Sequence, residues 1–375
     1  MLDSSTGDEL YSATPAGSGG VSITTGSDFY KFQHNFVCGD LSSGDGGGME
    51  HIGYSWNGDI EYNTIVFNQS TNPTIPANGG GILIAGAPDA DPPCGASTDL
   101  DCVPNPTTVT PSDGVGPNLL INANLIMGNS AESGSGGGIA FQHVNGGDVL
   151  ANLSTPANWH HVTVTNNIIA DNMCGWDGCG VSFLDALNLD FVNNTVVSNS
   201  STASAGPLVN TLGAPLASTQ NTGNNCFNGL PGSCGVASLS QPAGLVVQQN
   251  SVVLVANLGL STTPVTCPGS HFQGATAVNG TCRTFSYPML ANNIIWQNDS
   301  YQIGVGSLSA QYQQNIIAIY NASFAGNSTA LGTAVANQTY TGQCVATSVW
   351  DIGVRGDTGP TSHGSVSRLR RRTRS

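Results

Sequence analysis

Charged residues are scarce in this chain, at only 8% of its 375 residues, so Asn, Ser, Thr, Gln and Gly must cover most of the surface. Basic side chains are the scarcest, since no Lys or Arg occurs between Lys31 and Arg283. Nucleic acids and anionic membrane surfaces bind clustered Lys and Arg, and the net charge of −15 argues against both partners. The sequence also lacks a run of about 20 apolar residues, so it predicts no membrane span.

Helical periodicity is also missing. No stretch sustains a 3.6-residue apolar period, and Gly, Asn, Pro and Thr interrupt each candidate helix. The segments between these residues are short and alternate apolar with polar side chains, as in Val162-Thr163-Val164-Thr165. Such segments predict strands. Because 39% of the residues are hydrophobic, the chain can still build a core, and the predicted fold class is all-β.

Two motifs recur along most of the chain. One is a glycine doublet or triplet before alternating apolar residues, as in Gly46-Gly47-Gly48-Met49. The other is an asparagine followed by apolar residues and a second asparagine, as in Asn63-Thr64-Ile65-Val66-Phe67-Asn68. Fifteen residues separate Gly48 from Asn63, and the two motifs alternate to give a unit of about 28 residues. The first asparagine of the motif stands at Asn35, Asn63, Asn124, Asn167, Asn194 and Asn293.

A unit of this length accommodates about three short strands and three turns. Stacked units form a single-stranded parallel β-helix, a solenoid in which successive coils pair at about 4.8 Å. Asparagine tolerates the left-handed backbone of a sharp corner, and its amide can join neighbouring coils in a ladder. Glycine suits a bend with positive φ or a close approach of two coils. We therefore predict that the six asparagines lie in a single file.

Longer intervals between the motifs predict loop insertions at about 85–117, 143–160, 201–242 and 256–287. All but 201–242 fall on the same leg of the coil and should emerge along one edge. Long loops on a rigid scaffold often bind ligands, although they are also tolerated as decoration.

The predicted β-helix domain spans residues 16–322. Residues 1–15 are expected to be poorly ordered, 323–363 to form a cap or loop, and 364–375 to form a disordered basic tail. No signal peptide opens the chain and the repeat starts almost at once, so we expect an internal piece of a longer exported protein. An uncapped start also leaves an open edge for end-to-end self-association.

A family resemblance is carried by Ile126-Met127-Gly128-Asn129 followed by Gly136-Gly137-Gly138-Ile139. These residues resemble the FxxN and GGAI repeats of polymorphic outer membrane proteins. More broadly they resemble the right-handed β-helices of the pectin-lyase-like superfamily, which includes bacterial adhesins. The likeness covers roughly residues 16–322, with Ile or Val where Phe usually stands. It implies a right-handed sense and an extracellular or cell-surface setting.

Ten cysteines suggest an oxidising compartment, because eight of them form close pairs around Gly- or Pro-containing loops. Free buried thiols are the alternative, and zinc is disfavoured because no CxxC pair occurs. Cys38 and Cys344 have no local partner. The predicted disulfides are Cys94–Cys102, Cys174–Cys179, Cys226–Cys234 and Cys267–Cys282.

Asp45 and Asp177 each stand just before a glycine motif, in one predicted column with Asn78 and Ser135. Three coil steps separate the two carboxylates by about 14 Å, too far for a glycosidase pair, so each is expected to cap a turn. Catalytic candidates for an enzyme acting at the loop-bearing edge are Asp113, Asp177 and Asp185.

Metal binding has one weak candidate, Ca²⁺ in the 85–117 insertion, where several carboxylates surround Cys94 and Cys102. The spacing does not match an EF-hand loop, and surface acidity without a metal is the favoured interpretation; no cofactor is otherwise expected. The candidate ligands are Asp89, Asp91, Asp99 and Asp101.

Three histidines, His143, His160 and His161, border the second insertion and could meet there as metal ligands or a general base. Adjacent strand residues point to opposite sides, so at most one of His160 and His161 would join His143. Arg355-Gly356-Asp357 matches a tripeptide of integrin-binding adhesins, with an ordinary glycine turn as the alternative.

The predicted function is an exported or cell-surface β-helix, not catalytic, whose loops bind a polysaccharide, a surface glycan or a host or cell-surface protein. The alternative is a carbohydrate-active enzyme. A pectate-type lyase is disfavoured because such enzymes hold acidic sugars with Arg or Lys, which the central coils lack. The clustered Asp and Gly-His-Gly motifs of polygalacturonases are absent too, which leaves a neutral-glycan hydrolase as the enzyme to consider.

Overall fold

Short strands separated by turns make up most of the part of the chain that the structure describes, as the alternating apolar pattern predicts. A computed structural model of the protein describes residues 17–73, 75–86, 111–205, 219–220, 236–260, 264–271, 281–307, 315–324, 348–357 and 359–360. Within these ranges the strands form four sheets, and most of the pairs are parallel. The all-β fold class is therefore confirmed.

The four sheets are numbered in the order in which the chain first visits them. Sheet 1 contains Val21–Thr24, Met49–Ile52, Ile82–Ala85, Ile139–Gln142, Val181–Phe183, Leu245–Val247 and Ile352–Val354. Sheet 2 contains Lys31–Gln33, Asp59–Glu61, Leu119–Asn122, Val162–Thr165, Leu189–Val192 and Met289–Ala291. Sheet 3 contains Phe36–Cys38, Thr64–Val66, Leu125–Met127, Ile168–Ala170, Thr195–Val197 and Ile294–Trp296. Sheet 4 contains Leu41–Ser42, Gln69–Ser70, Ser130–Ala131, Met173–Cys174, Ser200–Ser201 and Asp299–Ser307, extended by the antiparallel strands Val236–Ala237, Thr219–Gln220 and Asn315–Asn321.

The chain visits sheets 1, 2, 3 and 4 in that order and then returns to sheet 1, so each strand pairs in parallel with its equivalent on the next pass. Asn35 and Asn63 on successive passes are 28 residues apart, and Asn167 and Asn194 are 27 apart. The observed repeat length thus agrees with the predicted unit of about 28 residues. The central residue of a sheet 3 strand, such as Ile65, Ile126 or Ile169, is fully buried in the core between the sheets, except that Val37 is 6% exposed and Ile295 is partly buried at the two ends of the sheet.

Two files of asparagine amides join the passes. In the first, the Nδ2 of Asn124 donates to the Oδ1 of Asn167 at 3.0 Å and to the carbonyl of Ile60 at 2.9 Å. The same bonding links Asn35, Asn63, Asn124, Asn167, Asn194 and Asn293 in the predicted order. The second file runs through Asn68, Asn129, Asn172, Asn199 and Asn298 to the carboxylate of Asp351.

The left-handed backbone lies one residue before each amide of the first file, which corrects the expectation that the same asparagine fills both roles. Asn166, Asn193 and Asn292 have φ between 55° and 58°, and Tyr62 and Ala123 take the equivalent position in other passes. A ladder amide must point into the core to reach the main chain, so the turn falls on the preceding residue. Where the sequence reads Asn-Asn, the first makes the turn and the second makes the ladder.

The glycine motif has the predicted geometry. Gly79 has φ +68°, and a Cβ on the adjacent Gly80 would lie 2.4 Å from the backbone of Ser130. The first position therefore needs the left-handed conformation, and the second needs the absence of a side chain where two passes touch.

Three of the predicted insertions emerge along one edge, because each lies between a sheet 1 strand and the following sheet 2 strand. Residues 86–118, 143–161 and 248–288 are the connections concerned. Their helices, as far as the structure describes them, are Gly147–Ala151 and Val252–Leu260, with single 3₁₀ turns at Pro156–Asn158, Gly269–His271 and Thr281–Arg283. The remaining insertion, at 201–242, connects sheet 4 to sheet 1.

The strand Ile352–Val354 lies within the segment 323–363 that was expected to be a cap or loop. It pairs in parallel with Leu245–Val247, so sheet 1 continues into that segment. No glycine triplet precedes this strand; Trp350 and Asp351 stand there instead, which is why the repeat is hard to recognise at this point. The segments 1–15 and 364–375 lie outside the described residues.

We expect Asn124→Ala to destabilise the protein by about 2–4 kcal/mol. The change removes the Asn124 oxygen that accepts hydrogen bonds from the main-chain N–H and the side-chain amide of Asn63. It also removes the Asn124 amide nitrogen that donates to the carbonyl of Ile60, and all of these groups are buried. Urea unfolding followed by circular dichroism measures the loss. Asn158→Ala is the matched control, because the Asn158 amide donates to Asn152 on the surface, the residue does not have a positive φ, and its loss should cost less than about 0.5 kcal/mol. Equal effects of the two changes would contradict the ladder.

We expect the stability of the protein to fall as the pH rises from about 4 to 7. Burial raises the pKa of Asp45 to about 6, and burial with the nearby Asp351 raises the pKa of Asp299 to about 6. Because the pKa of each carboxyl is higher in the folded state than in the unfolded state, protonation of these groups stabilises the fold fully below about pH 4. This stabilisation is lost as the pH rises through about 6. Asp45→Asn should raise the melting temperature at pH 7.5 and leave it nearly unchanged at pH 4, since the amide keeps the acceptor for Asn78. A gain of the same size at both pH values would contradict this assignment.

Candidate functional site

Aromatic and acidic side chains from successive passes meet at the edge between sheets 1 and 2, where the three insertions emerge. The cluster, called here the Tyr54 cluster, consists of Asp28, Tyr54, Trp56, Asp113, Asp148 and His160. The first four passes contribute to it, each at the turn or insertion that follows its sheet 1 strand. Because the ladders hold the passes in register, residues distant in sequence lie side by side here.

Tyr54 is at the centre of this cluster. Its ring meets the edge of Trp56 at a centroid distance of 6.1 Å and the edge of His160 at 5.2 Å. Partial burial, followed by the carboxylates of Asp28, Asp113 and Asp148, raises the pKa of Tyr54, so its hydroxyl stays protonated as a hydrogen-bond donor. The Trp56 side chain is 45% exposed, and Asp28 accepts a hydrogen bond from the Trp56 main-chain N–H at 2.8 Å. The cluster therefore presents aromatic surface flanked by carboxylates.

Asp148 fixes the 143–161 insertion against this cluster. Its carboxylate accepts hydrogen bonds from the N–H groups of Gly146 and His160 and from the amide of Asn145. The side-chain oxygen of Asn145 in turn accepts hydrogen bonds from the main-chain N–H groups of Leu187 and Asn188 on the next pass. These bonds account for the burial of Asp148, whereas Asp113 is exposed.

Asp185 forms a buried pair with His143 at the same edge. Its Oδ2 lies 2.8 Å from the Nδ1 of His143, and its Oδ1 accepts the N–H of Ser251 at 2.6 Å. The Asp185 side chain is 2% exposed and the His143 side chain 32%. A buried carboxylate on Nδ1 orients the imidazole and leaves Nε2 as the nitrogen that a ligand would meet.

The three histidines that border the second insertion have separate partners, so they do not meet as the sequence suggested. His143 pairs with Asp185, and His160 packs against Tyr54. The Nε2 of His161 lies 3.2 Å from Asp190, whose other oxygen is 3.4 Å from His271. Within the described ranges no group of three or more His, Cys, Asp or Glu side chains is placed to hold a metal ion.

Asp177 is bound within the structure. The guanidinium of Arg355 donates to its carboxylate from Nε at 2.7 Å and from Nη2 at 2.5 Å, and it stacks over the ring of Trp176 at 4.3 Å. Asp177 also accepts a hydrogen bond from the Ser135 hydroxyl. The Ser135 main-chain N–H donates to Asn78 and the Asn78 main-chain N–H donates to Asp45, so these four residues form the predicted column. The side chain of Asp177 is fully buried.

Of the three catalytic candidates, Asp177 and Asp185 flank opposite ends of the strand Val181–Phe183, and only Asp113 is exposed. The structure thus does not bring Asp177 and Asp185 together as a catalytic pair. Arg355 and Asp357 are both engaged, since Asp357 is buried and accepts the N–H of Val354. The tripeptide around Gly356 is therefore a structural turn, not a presented receptor motif.

The disulfides Cys174–Cys179 and Cys267–Cys282 are present as predicted. Cys38 is exposed and unpaired. The other predicted pairs, Cys94–Cys102 and Cys226–Cys234, lie outside the described residues, as does Cys344. The same is true of the Ca²⁺ candidates Asp89, Asp91, Asp99 and Asp101.

Four residues of the cluster, Tyr54, Trp56, Asp28 and Asp148, were not predicted from the sequence as site residues. One signal was available, because Asp28 and Trp56 are 28 residues apart and thus occupy equivalent positions of the repeat. The insertion that brings His160 to Tyr54 follows no repeat, so this contact has no counterpart in the spacing.

No helix among the described residues is long and apolar enough to cross a membrane. Searches for similarity found no matching family model, no matching curated protein and no matching solved structure.

Proposed function

We propose that this protein is an extracellular or cell-surface right-handed parallel β-helix that binds a polysaccharide or surface glycan through the Tyr54 cluster and acts without catalysis. The observation that carries the proposal is the exposed Trp56 beside Tyr54 and the carboxylates of Asp28 and Asp113. The repeated order of the sheets and the two amide files support the solenoid. The right-handed sense rests on the family resemblance.

Sugar rings have apolar C–H faces bordered by hydroxyl groups, and the Tyr54 cluster is complementary to both features. The ring of Trp56 provides apolar area for stacking, and the Tyr54 hydroxyl provides a donor. The carboxylates of Asp28 and Asp113 are acceptors for sugar hydroxyls, and such charge-assisted bonds are the stronger ones. An acidic edge of this kind suits neutral or amino sugars and disfavours anionic ones.

Binding without catalysis is favoured over hydrolysis because of how the acidic residues are used. A glycoside hydrolase needs two available carboxyl groups roughly 5–9.5 Å apart. Asp177 is committed to Arg355, and Asp185 to His143 and Ser251. Asp28 and Asp113 are the exposed carboxylates that remain in the Tyr54 cluster, and Asp28 already accepts a hydrogen bond from the Trp56 main-chain N–H. A hydrolase would therefore have to use this pair.

The extracellular or cell-surface location is supported by the two disulfides, since such bonds persist in oxidising compartments. The scarcity of charge agrees with this setting.

We expect Trp56→Ala to weaken glycan binding by about tenfold or more, because aromatic side chains that a partner covers on binding supply much of the binding energy. The purified chain is first screened on an array of neutral, amino and anionic glycans, and the affinity of the strongest ligand is then measured by calorimetry. Trp296→Ala is the matched control, since Trp296 is 59% exposed on sheet 3, away from the insertions.

Failure of every glycan to bind, or equal effects of the two tryptophan changes, would overturn the proposal. Glycan hydrolysis that is lost in Asp113→Asn would replace it with the carbohydrate-active enzyme. A host or cell-surface protein that binds through Trp56 while no glycan does would replace the glycan as the partner.

A further inference from the structure

The outer face of sheet 3 is largely apolar and partly open to solvent. This sheet 3 face is formed by the first and third residues of each sheet 3 strand, since the central residue points into the core. Five of these twelve residues are exposed, including Phe36 at 71%, Ile168 at 47%, and Ile294 and Trp296 at 59% each, five are half-buried, and Val66 and Ala170 are buried. Exposed apolar patches of this extent commonly mark an interaction surface.

Charge is absent from this face. None of its twelve residues is Asp, Glu, Lys or Arg, although the chain holds 23 acidic residues and a net charge of −15. On sheet 2, by contrast, Lys31, Asp59, Glu61 and Asp190 lie on the strands. If two copies of this acidic chain met through charged surfaces, their carboxylates would repel each other. The twelve residues of the sheet 3 face carry no carboxylate, so this repulsion is absent there.

The spacing between strands on the sheet 3 face also matches the spacing on the same face of a second copy of the chain. Its strands repeat at about 4.8 Å, and two such faces can interdigitate because both have the same period. A twofold axis parallel to the direction of stacking would place each strand opposite its own equivalent, in a closed dimer. A hydrated glycan, by contrast, would find few hydrogen-bonding groups on this face.

The available area is sufficient for a weak dimer. Six strands at about 4.8 Å give a face roughly 25–30 Å long. Phe67, 63% exposed at the turn after sheet 3, and Leu41, 65% exposed at the start of sheet 4, extend the apolar surface. Asp171, exposed at the position equivalent to Phe67, places one carboxylate at the border of this surface. About 500–600 Å² per copy gives roughly 1,000–1,200 Å² in total, near the lower limit for a specific interface.

We propose that two copies of this chain associate side by side through the sheet 3 face. This arrangement differs from the end-to-end association predicted from the sequence, and it leaves the Tyr54 cluster free. It does not depend on the identity of the glycan.

Sedimentation velocity between about 1 and 200 μM tests the dimer. The wild-type chain is expected to dimerise with a Kd of about 1–100 μM. Ile168→Asp, at the centre of the face, should weaken association at least tenfold. Val252→Asp is the matched control, because it adds the same charge at a residue that is 85% exposed on a helix elsewhere, and it should dimerise like the wild type.

Cys38 provides a second readout, because it is an exposed free thiol on the sheet 3 face. A bismaleimide with a spacer of about 10 Å should join two copies of the wild type, and Cys38→Ser should abolish this product. Trp296→Asp at the other end of the face should reduce the yield, which keeps the test valid if Ile168→Asp folds poorly. A monomer at 200 μM, or association that Ile168→Asp and Trp296→Asp leave unchanged, would overturn the proposal.

Discussion

The side-chain amides between passes are the interaction on which the structure depends. A strand of two to four residues buries too little surface to hold its own register. Each buried asparagine binds the main chain of one pass and the amide of the next, so a slip by one residue would leave several buried polar groups unsatisfied. The ladders thereby fix the alignment that the short strands leave open.

Once the passes are aligned, each position of the repeat becomes a column on the surface. Asp45, Asn78, Ser135 and Asp177 form one such column, which ends on the guanidinium of Arg355. The insertions emerge along a different edge because all three follow a sheet 1 strand. The Tyr54 cluster and the sheet 3 face are therefore separate surfaces, one acidic and aromatic, the other apolar and uncharged.

Prediction from the sequence succeeded where a feature repeats. The six-asparagine file and the glycine turns follow from spacing, since equivalent positions must coincide when units stack. The disulfides Cys174–Cys179 and Cys267–Cys282 were predicted for another reason, because each pair is close in sequence around a short loop. It failed where geometry differs within one unit, as at the left-handed residue one position before the ladder amide. It also failed where no repeat exists, as for the strand Ile352–Val354 and the contact between His160 and Tyr54.

By itself, the sequence determined the all-β class, the 28-residue unit and the edge from which the insertions emerge, because these are properties of a period. Only the tertiary structure decided how individual carboxylates are used. Asp177 and Asp185 look equivalent to Asp113 in the chain, yet the first is paired with an arginine 178 residues away and the second is hydrogen-bonded to His143. Such pairings depend on how the insertions and the final turn fold back against the repeat. The neighbouring residues in the sequence do not indicate which distant residues will lie close in space.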